Sequence, residues 1–159
     1  MTFKTADLCD QHAATVQVVL PGLRDFGGSP RFFGPMVTLK ALNDFSQVRS
    51  QLKSPGNGRV LVVDNAALPQ SAMLGDLLAG AAVENRWSGV VIYGCVRDTV
   101  DIREMPLGIR ALASVPARGE NQGRGELNVE LSFLGAIFRP GEILYCDEDG
   151  MLLSPDPLI

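Results

Sequence analysis

Four charged residues carry the chemistry that can be read from this sequence: Asp76, Arg97, Asp98 and Asp101. All lie within the stretch Leu74–Asp101, LGDLLAGAAVENRWSGVVIYGCVRDTVD. A carboxylate such as Asp98 is a hard oxygen ligand, suited to a Mg²⁺ or Mn²⁺ ion that keeps several of its waters. The neighbouring Arg97 offers a fork of donors to an anion, or to an oxygen that becomes negative during reaction. Asp76 stands at the start of a helical pattern, where it can act as an N-cap. The amides of Gly75, Asp76, Leu77 and Leu78 are then unpaired and form a natural seat for a carboxylate. Carboxylate seat, cation and metal ligand together are what a 2-oxo acid needs for enolate chemistry. The plainer alternative is structural: Asp76 caps a helix, Arg97 pairs with Asp98 or Asp101, and all four sit on a solvated rim.

Particular elements must bring these residues together. Gly89–Tyr93, GVVIY, is a β-branched run bounded by glycines, as expected for a strand covered on both faces. Val60–Val63 is a second such run. If the two strands are parallel, the helix start at Asp76 and the Arg97-Asp98 pair meet outside their carboxyl ends. That is where α/β sheets bind ligands.

The rest of the chain supplies the frame. A helix with a capped start is expected from Thr5 to about Thr15, then a short strand Val16–Leu20 ended by Pro21-Gly22. Phe26-Gly27-Gly28 and Phe33-Gly34-Pro35 bracket a glycine-rich turn region without the spacing of a phosphate loop. Met36–Leu42 alternates like a half-buried strand, and Asp44–Lys53 has apolar residues at helical spacing. Ser54–Gly58 is a loop. A helical piece over Thr99–Met105, a strand Gly108–Ala113 and a turn region Pro116–Glu126 follow. Leu127–Leu131, Gly135–Phe138, Glu142–Cys146 and Met151–Ser154 read as strands. Asp147-Glu148-Asp149-Gly150 between the last two is better read as a hairpin than as a metal loop, because it is too short to wrap a cation. The pattern predicts one α/β domain over residues 1–159, with βα units first and a β-rich remainder.

Composition narrows the function. The chain has 159 residues, 46% of them hydrophobic and 20% charged, which suits one substantial core and excludes disorder. No apolar run approaches the roughly 20 residues of a membrane span, and the N-terminus lacks the order of a signal peptide, so a cytoplasmic protein is expected. A net charge of −4 argues against a groove for nucleic-acid phosphates, so a link to RNA would run through a protein partner. Cys9, Cys95 and Cys146 lack CxxC spacing and read as reduced thiols. His12, the one histidine, has no clustered partner and reads as a surface or satisfied helical residue.

The pattern Asp76, twenty residues, Arg97-Asp98, two residues, Asp101 resembles the motif of the 4-hydroxy-4-methyl-2-oxoglutarate aldolase family. The same family contains the regulator of ribonuclease activity A, an inhibitor of ribonuclease E. Asp7–Asp10, Phe26-Gly27-Gly28, Gly58–Asp64, Val91–Gly94 and Leu153–Leu158 also resemble that regulator. The resemblance implies a swivelling β/β/α domain in a ring-shaped homotrimer or a hexamer built from two trimers. It implies that Arg97 contacts the keto or enolate oxygen of pyruvate and that Asp98 anchors Mg²⁺ or Mn²⁺. It further implies that Asp101 supports the metal's water shell, Asp76 orients a proton-carrying water, and the Leu77 and Leu78 amides take the substrate carboxylate. The activity implied is metal-dependent cleavage of a 4-hydroxy-2-oxo acid to pyruvate, with oxaloacetate decarboxylation alongside. Ribonuclease E binding is the alternative. No Schiff-base lysine is required, and Lys4, Lys40 and Lys53 are expected to lie away from the site.

Overall fold

The computed structural model describes residues 2–159. In chain order its elements are α1 (Thr5–Gln11), β1 (Gln17–Val19), β2 (Arg24–Asp25), β3 (Phe32–Lys40), α2 (Ser46–Leu52) and β4 (Val60–Asp64). Next come α3 (Asp76–Glu84), β5 (Gly89–Val96), α4 (Thr99–Ile102), β6 (Gly108–Ser114) and β7 (Glu126–Leu127). The chain closes with β8 (Leu131–Phe133), β9 (Ala136–Phe138), β10 (Ile143–Asp147) and β11 (Gly150–Ser154). Hydrogen-bonded neighbours run β1-β11-β10-β3-β4-β5-β6-β2, with β7 beside β3 and β8–β9 as a separate hairpin. The expected mixed α/β fold is present.

The long strand β3 joins two halves of the sheet. Phe32–Pro35 pairs antiparallel with β10, and Met36–Lys40 pairs parallel with β4. The sequence reading placed Phe33-Gly34-Pro35 in a turn and began the strand at Met36; the structure carries all three inside β3. A Cβ at Gly34 would lie 2.1 Å from the Gly58 carbonyl oxygen, so only glycine fits where the loop before β4 passes. Pro35 sits where the strand changes partner, so its missing N–H interrupts no continuous ladder. The expected alternation also stops there, because Met36–Leu39 are all buried.

Burial on both faces explains the continuous apolar strands β4 and β5. On one face Leu61, Val63, Val90 and Ile92 pack against Val48, Leu52, Ala79 and Ala82 of α2 and α3. On the other, Val60, Val62 and Val91 meet Leu131, Phe133 and Phe138 of the β8–β9 hairpin. α1 covers the outside of the β10–β11 hairpin, where Phe3 and Leu8 pack on Tyr145 and Leu152.

Several boundaries move. α1 stops at Gln11, with half-buried His12 as C-cap donating its amide to the Leu8 carbonyl. Its N-terminus is capped from far away: Asp147 accepts from the Thr5 amide at 2.7 Å and the Thr5 hydroxyl at 2.6 Å. The acidic triplet is therefore a hairpin with a buried structural carboxylate, as its length argued. α4 ends at Ile102, short of Met105. Leu127–Leu131 is not one strand, because Asn128 turns left-handed (φ 59°) between β7 and β8. The three cysteines are free thiols, and burial pushes Cys146 up to about 12. No helix among the described residues is long and apolar enough to cross a membrane.

Candidate active site

Three segments distant in sequence run side by side beyond the parallel strands. Ala72 bridges Cys95 on one side and Arg118 on the other. The Met73 amide donates to the Cys95 carbonyl and the Arg97 amide to the Leu74 carbonyl, both at 2.9 Å. On the far side, the Ala72 amide donates to the Ala117 carbonyl at 2.7 Å. α3 begins directly from this seam.

Asp98 follows β5 and adopts left-handed backbone, φ 57° and ψ 43°. A non-glycine residue there costs on the order of 1–3 kcal/mol and marks a place where surrounding structure dictates the conformation. It occupies the N-cap position of α4 yet makes no side-chain cap there. Its Oδ2 instead accepts from the Asp76 amide, the first of α3, at 2.9 Å. Gly75 makes this possible: a Cβ would lie 2.5 Å from Asp98 Oδ2 and 3.3 Å from Arg97 Nε.

The helix start differs from the sequence reading in detail. Gly75 is the N-cap and Asp76 the first helical residue, so Asp76 does not cap α3. Asp76 Oδ1 accepts from the Leu77 amide at 2.8 Å. Of the amides expected to be free, Asp76's is taken by Asp98 and Leu77's by Asp76; among the described residues Leu78's has no protein acceptor. Arg97 forms no ion pair with Asp76, Asp98 or Asp101 among the described residues, so the plainer reading of an Arg97 salt bridge fails. One guanidinium nitrogen lies 3.4 Å from the Pro116 carbonyl. Asp101 is exposed on α4 and is absent from the lining of the cleft that holds Asp76, Arg97 and Asp98.

That cleft has a volume of about 210 Å³ and is also lined by Arg49, Lys53 and Arg118. The expectation that all lysines lie away from the site is corrected for Lys53, which α2 delivers at its C-cap. Arg49 and Lys53 are one helical turn apart on the polar side of α2, a spacing visible in the sequence but shared by any solvated helix face. Arg118 lies in the glycine- and arginine-rich turn and has no periodic signal. Four cations thus face two carboxylates in a chain whose net charge is −4. The arrangement suits an anionic ligand. No group of three or more His, Cys, Asp or Glu side chains suited to a metal occurs among the described residues.

Comparison with known proteins places this architecture. The profile of the RraA-like family (aldolase/RraA) matches residues 5–153. A Laribacter hongkongensis protein, which carries the name 4-hydroxy-4-methyl-2-oxoglutarate aldolase as a provisional assignment, is 50% identical over 100% of both chains. The chain belongs to the RraA-like family. Among solved structures, the RNA-processing inhibitor RraA from Thermus thermophilis is 41% identical, with a TM-score of 0.96 over 100% of this chain and 96% of that one. A Geobacillus kaustophilus structure named S-adenosylmethionine: 2-dimethylmenaquinone methyltransferase is 39% identical, with a TM-score of 0.94 over 98% and 97% of the two chains. The RraA-like match contains every residue of the cleft. The relatives' names diverge while their backbones agree, so the choice of function rests on the site.

Proposed function

We propose that this RraA-like chain is a divalent-metal-dependent lyase that cleaves 4-hydroxy-4-methyl-2-oxoglutarate-type 4-hydroxy-2-oxo acids to pyruvate, with oxaloacetate decarboxylation as a side reaction. One observation carries the reading. Asp98, held in left-handed backbone at the N-cap of α4, reaches the first amide of α3 beside an arginine that has no carboxylate partner among the described residues, in a cleft with excess positive charge.

The donor set fits a hydrated Mg²⁺ or Mn²⁺ ion. Asp98 is half-buried, spends Oδ2 on one amide and has Oδ1 left over, and a second carboxylate, Asp76, lines the same cleft. With only two carboxylates present, water must complete the coordination shell, as is usual for Mg²⁺. Asp98 would hold the ion, which when bound supplies Lewis-acid polarisation of the 2-oxo group.

The chain's own residues do the rest. The open Leu78 amide and the positive end of α3 receive the substrate's carboxylate. Arg97 donates to the 2-oxo oxygen and gains strength as that oxygen becomes negative. The bond between C3 and C4 breaks as the 4-hydroxyl gives its proton to a water held by Asp76, leaving a carbonyl product and pyruvate enolate. The same water then returns that proton to C3. Oxaloacetate reaches the same enolate by losing CO₂. A ring of three chains, or two such rings, accompanies this reading; Leu77, 84% exposed, and Val100, 69% exposed, supply apolar surface near the cleft for a neighbouring copy.

Purified protein given oxaloacetate and Mg²⁺ or Mn²⁺ should release pyruvate and stop on addition of EDTA. Absence of metal-dependent release refutes the lyase. The close structural match to an RNA-processing inhibitor favours a second reading, inhibition of ribonuclease E by direct binding. Failure to bind that enzyme's C-terminal scaffold region at micromolar concentration refutes it.

A further inference from the structure

We infer that the cavity at Arg110, where the two ends of the curled sheet are joined, is a second binding site and takes a short aliphatic monocarboxylate.

The hydrogen-bonded path of the sheet begins at β1 and ends at β2, and residues 20–23 connect the two. A cavity of about 340 Å³ lies there, larger than the cleft at α3 and sharing no residue with it. That volume falls within the range of small-molecule sites. Val18, Leu20, Pro21, Leu23 and Met151 give it apolar walls. Val18 and Leu20 are 51% and 56% exposed, so apolar surface stands open to a ligand's hydrocarbon tail.

Arg110 is the one cation in the lining. β6 sets it opposite Val91 of β5 and Asp25 of β2, between the core residues Ile109 and Ala111, and only 7% of it is exposed. Its Nη2 spends both hydrogens, on the Pro30 carbonyl at 2.8 Å and the Asp147 carbonyl at 3.2 Å, which locks the side chain in place. The other N–H groups are unspent. Among the described residues Nε is buried without a partner, and Nη1 makes no hydrogen bond. Asp25 Oδ2 is 3.9 Å from Nη2, beyond hydrogen-bond range. A buried cation with unpaired N–H groups is costly unless an acceptor meets them. A ligand carboxylate would do so through charge-assisted bonds.

The lining has room for one negative charge only. Glu148 and Asp149 are exposed members of it, and Arg31 pairs with Glu148 alone, at 3.4 Å. These carboxylates repel a second anionic group, so the site selects against diacids.

The test is calorimetric titration of the full chain with hexanoate, hexanol and adipate. Hexanoate should bind at least about tenfold more tightly than either, because hexanol lacks the charge and adipate carries a second. Arg110→Gln should erase the preference over hexanol. Since Arg110 also ties strands together, Val18→Asp serves as a second variant. Its added charge should weaken hexanoate at least about tenfold with the circular dichroism spectrum unchanged. Half-buried Cys9 lines the same cavity, whereas Cys95 and Cys146 are buried, so hexanoate should also slow iodoacetamide labelling of Cys9. No binding of hexanoate to the wild type, equal affinity for hexanoate and hexanol, or binding that Val18→Asp leaves unchanged would each overturn the inference.

Discussion

Asp98 and Asp147 make the same move with opposite results. Each reaches the first amide of a helix distant in sequence: Asp98 that of Asp76, at 2.9 Å, and Asp147 that of Thr5, at 2.7 Å. Asp147 is buried and uses both oxygens, taking the Thr5 hydroxyl and the Asp149 amide on Oδ1. Burial pushes its carboxyl upward, but the hydrogen bonds from Thr5 and Asp149 outweigh this and hold it below its ordinary value. Asp98 is half-buried, engages one oxygen and opens onto a cleft. The nearby arginines differ in the same way. Arg110, 7% exposed, donates to the Pro30 and Asp147 carbonyls, whereas Arg97 faces the cleft and forms no ion pair among the described residues. A satisfied carboxylate is a lock; the same contact with an oxygen to spare can bind a ligand.

The largest contrast comes from removing each carboxylate. Asp98→Ala should lower metal-dependent pyruvate release by about 100-fold or more with little change in thermal stability, as expected for loss of a ligand-holding group. Asp147→Ala should leave the Thr5 amide buried and unpaired, costing about 2–3 kcal/mol and lowering Tm by roughly 5–10 °C. Activity and melting measurements on the two variants should therefore be reciprocal; matching profiles would break the comparison. Gly75→Ala comes next. Its φ of −137° accommodates alanine, but the new Cβ would meet Asp98 Oδ2 at 2.5 Å. Activity should fall about tenfold, the equivalent of some 1.4 kcal/mol in transition-state binding, while the fold survives.

Acid supplies a smaller test. Burial raises the Asp44 carboxyl, yet hydrogen bonds from Ser46, Gln122 and Arg124 hold it at about 2 against an ordinary 3.8. Its folded pKa lies below the unfolded value, so its contribution of about 2 kcal/mol is present above pH 3.8 and is lost as pH falls toward 2. Asp147 loses its contribution on the same side of its ordinary value. Circular dichroism below pH 4 should show a weaker acid dependence in Asp44→Asn than in wild type. The smallest effect is expected at Ala66, whose φ of 55° is nearly that of Asp98 but which carries no chemistry. Ala66→Gly should raise stability by less than about 1 kcal/mol and leave activity unchanged, read by urea unfolding and pyruvate release.

Legibility in the sequence followed physical range. Val60–Val63 and Gly89–Tyr93 could be recognised because burial on both faces leaves an uninterrupted apolar run. Asp76, Arg97 and Asp98 could be grouped because a helix start and a strand end flank them at close spacing. Phe33-Gly34-Pro35 does not read as strand because the fit of a strand breaker depends on Gly58, which approaches only after folding. The cap on α1 was assigned to local residues because its real donor–acceptor pair spans 142 positions. The place of Lys53 at the cleft, against the expectation that it lies away, and that of Arg118 are not legible, since an exposed charge is selected by direction in space and leaves no period.

The sequence by itself determined the mixed α/β class, the parallel centre and the identity of three residues at the cleft, because each depends on local periodicity or near neighbours. Only the tertiary structure decided which Asp98 oxygen is spent, which α3 amide stays open, that Asp101 stands outside the cleft, and which cations surround it. Those outcomes depend on angles and approaches of a few ångströms between segments that meet only when the sheet curls and the seam at Ala72 closes.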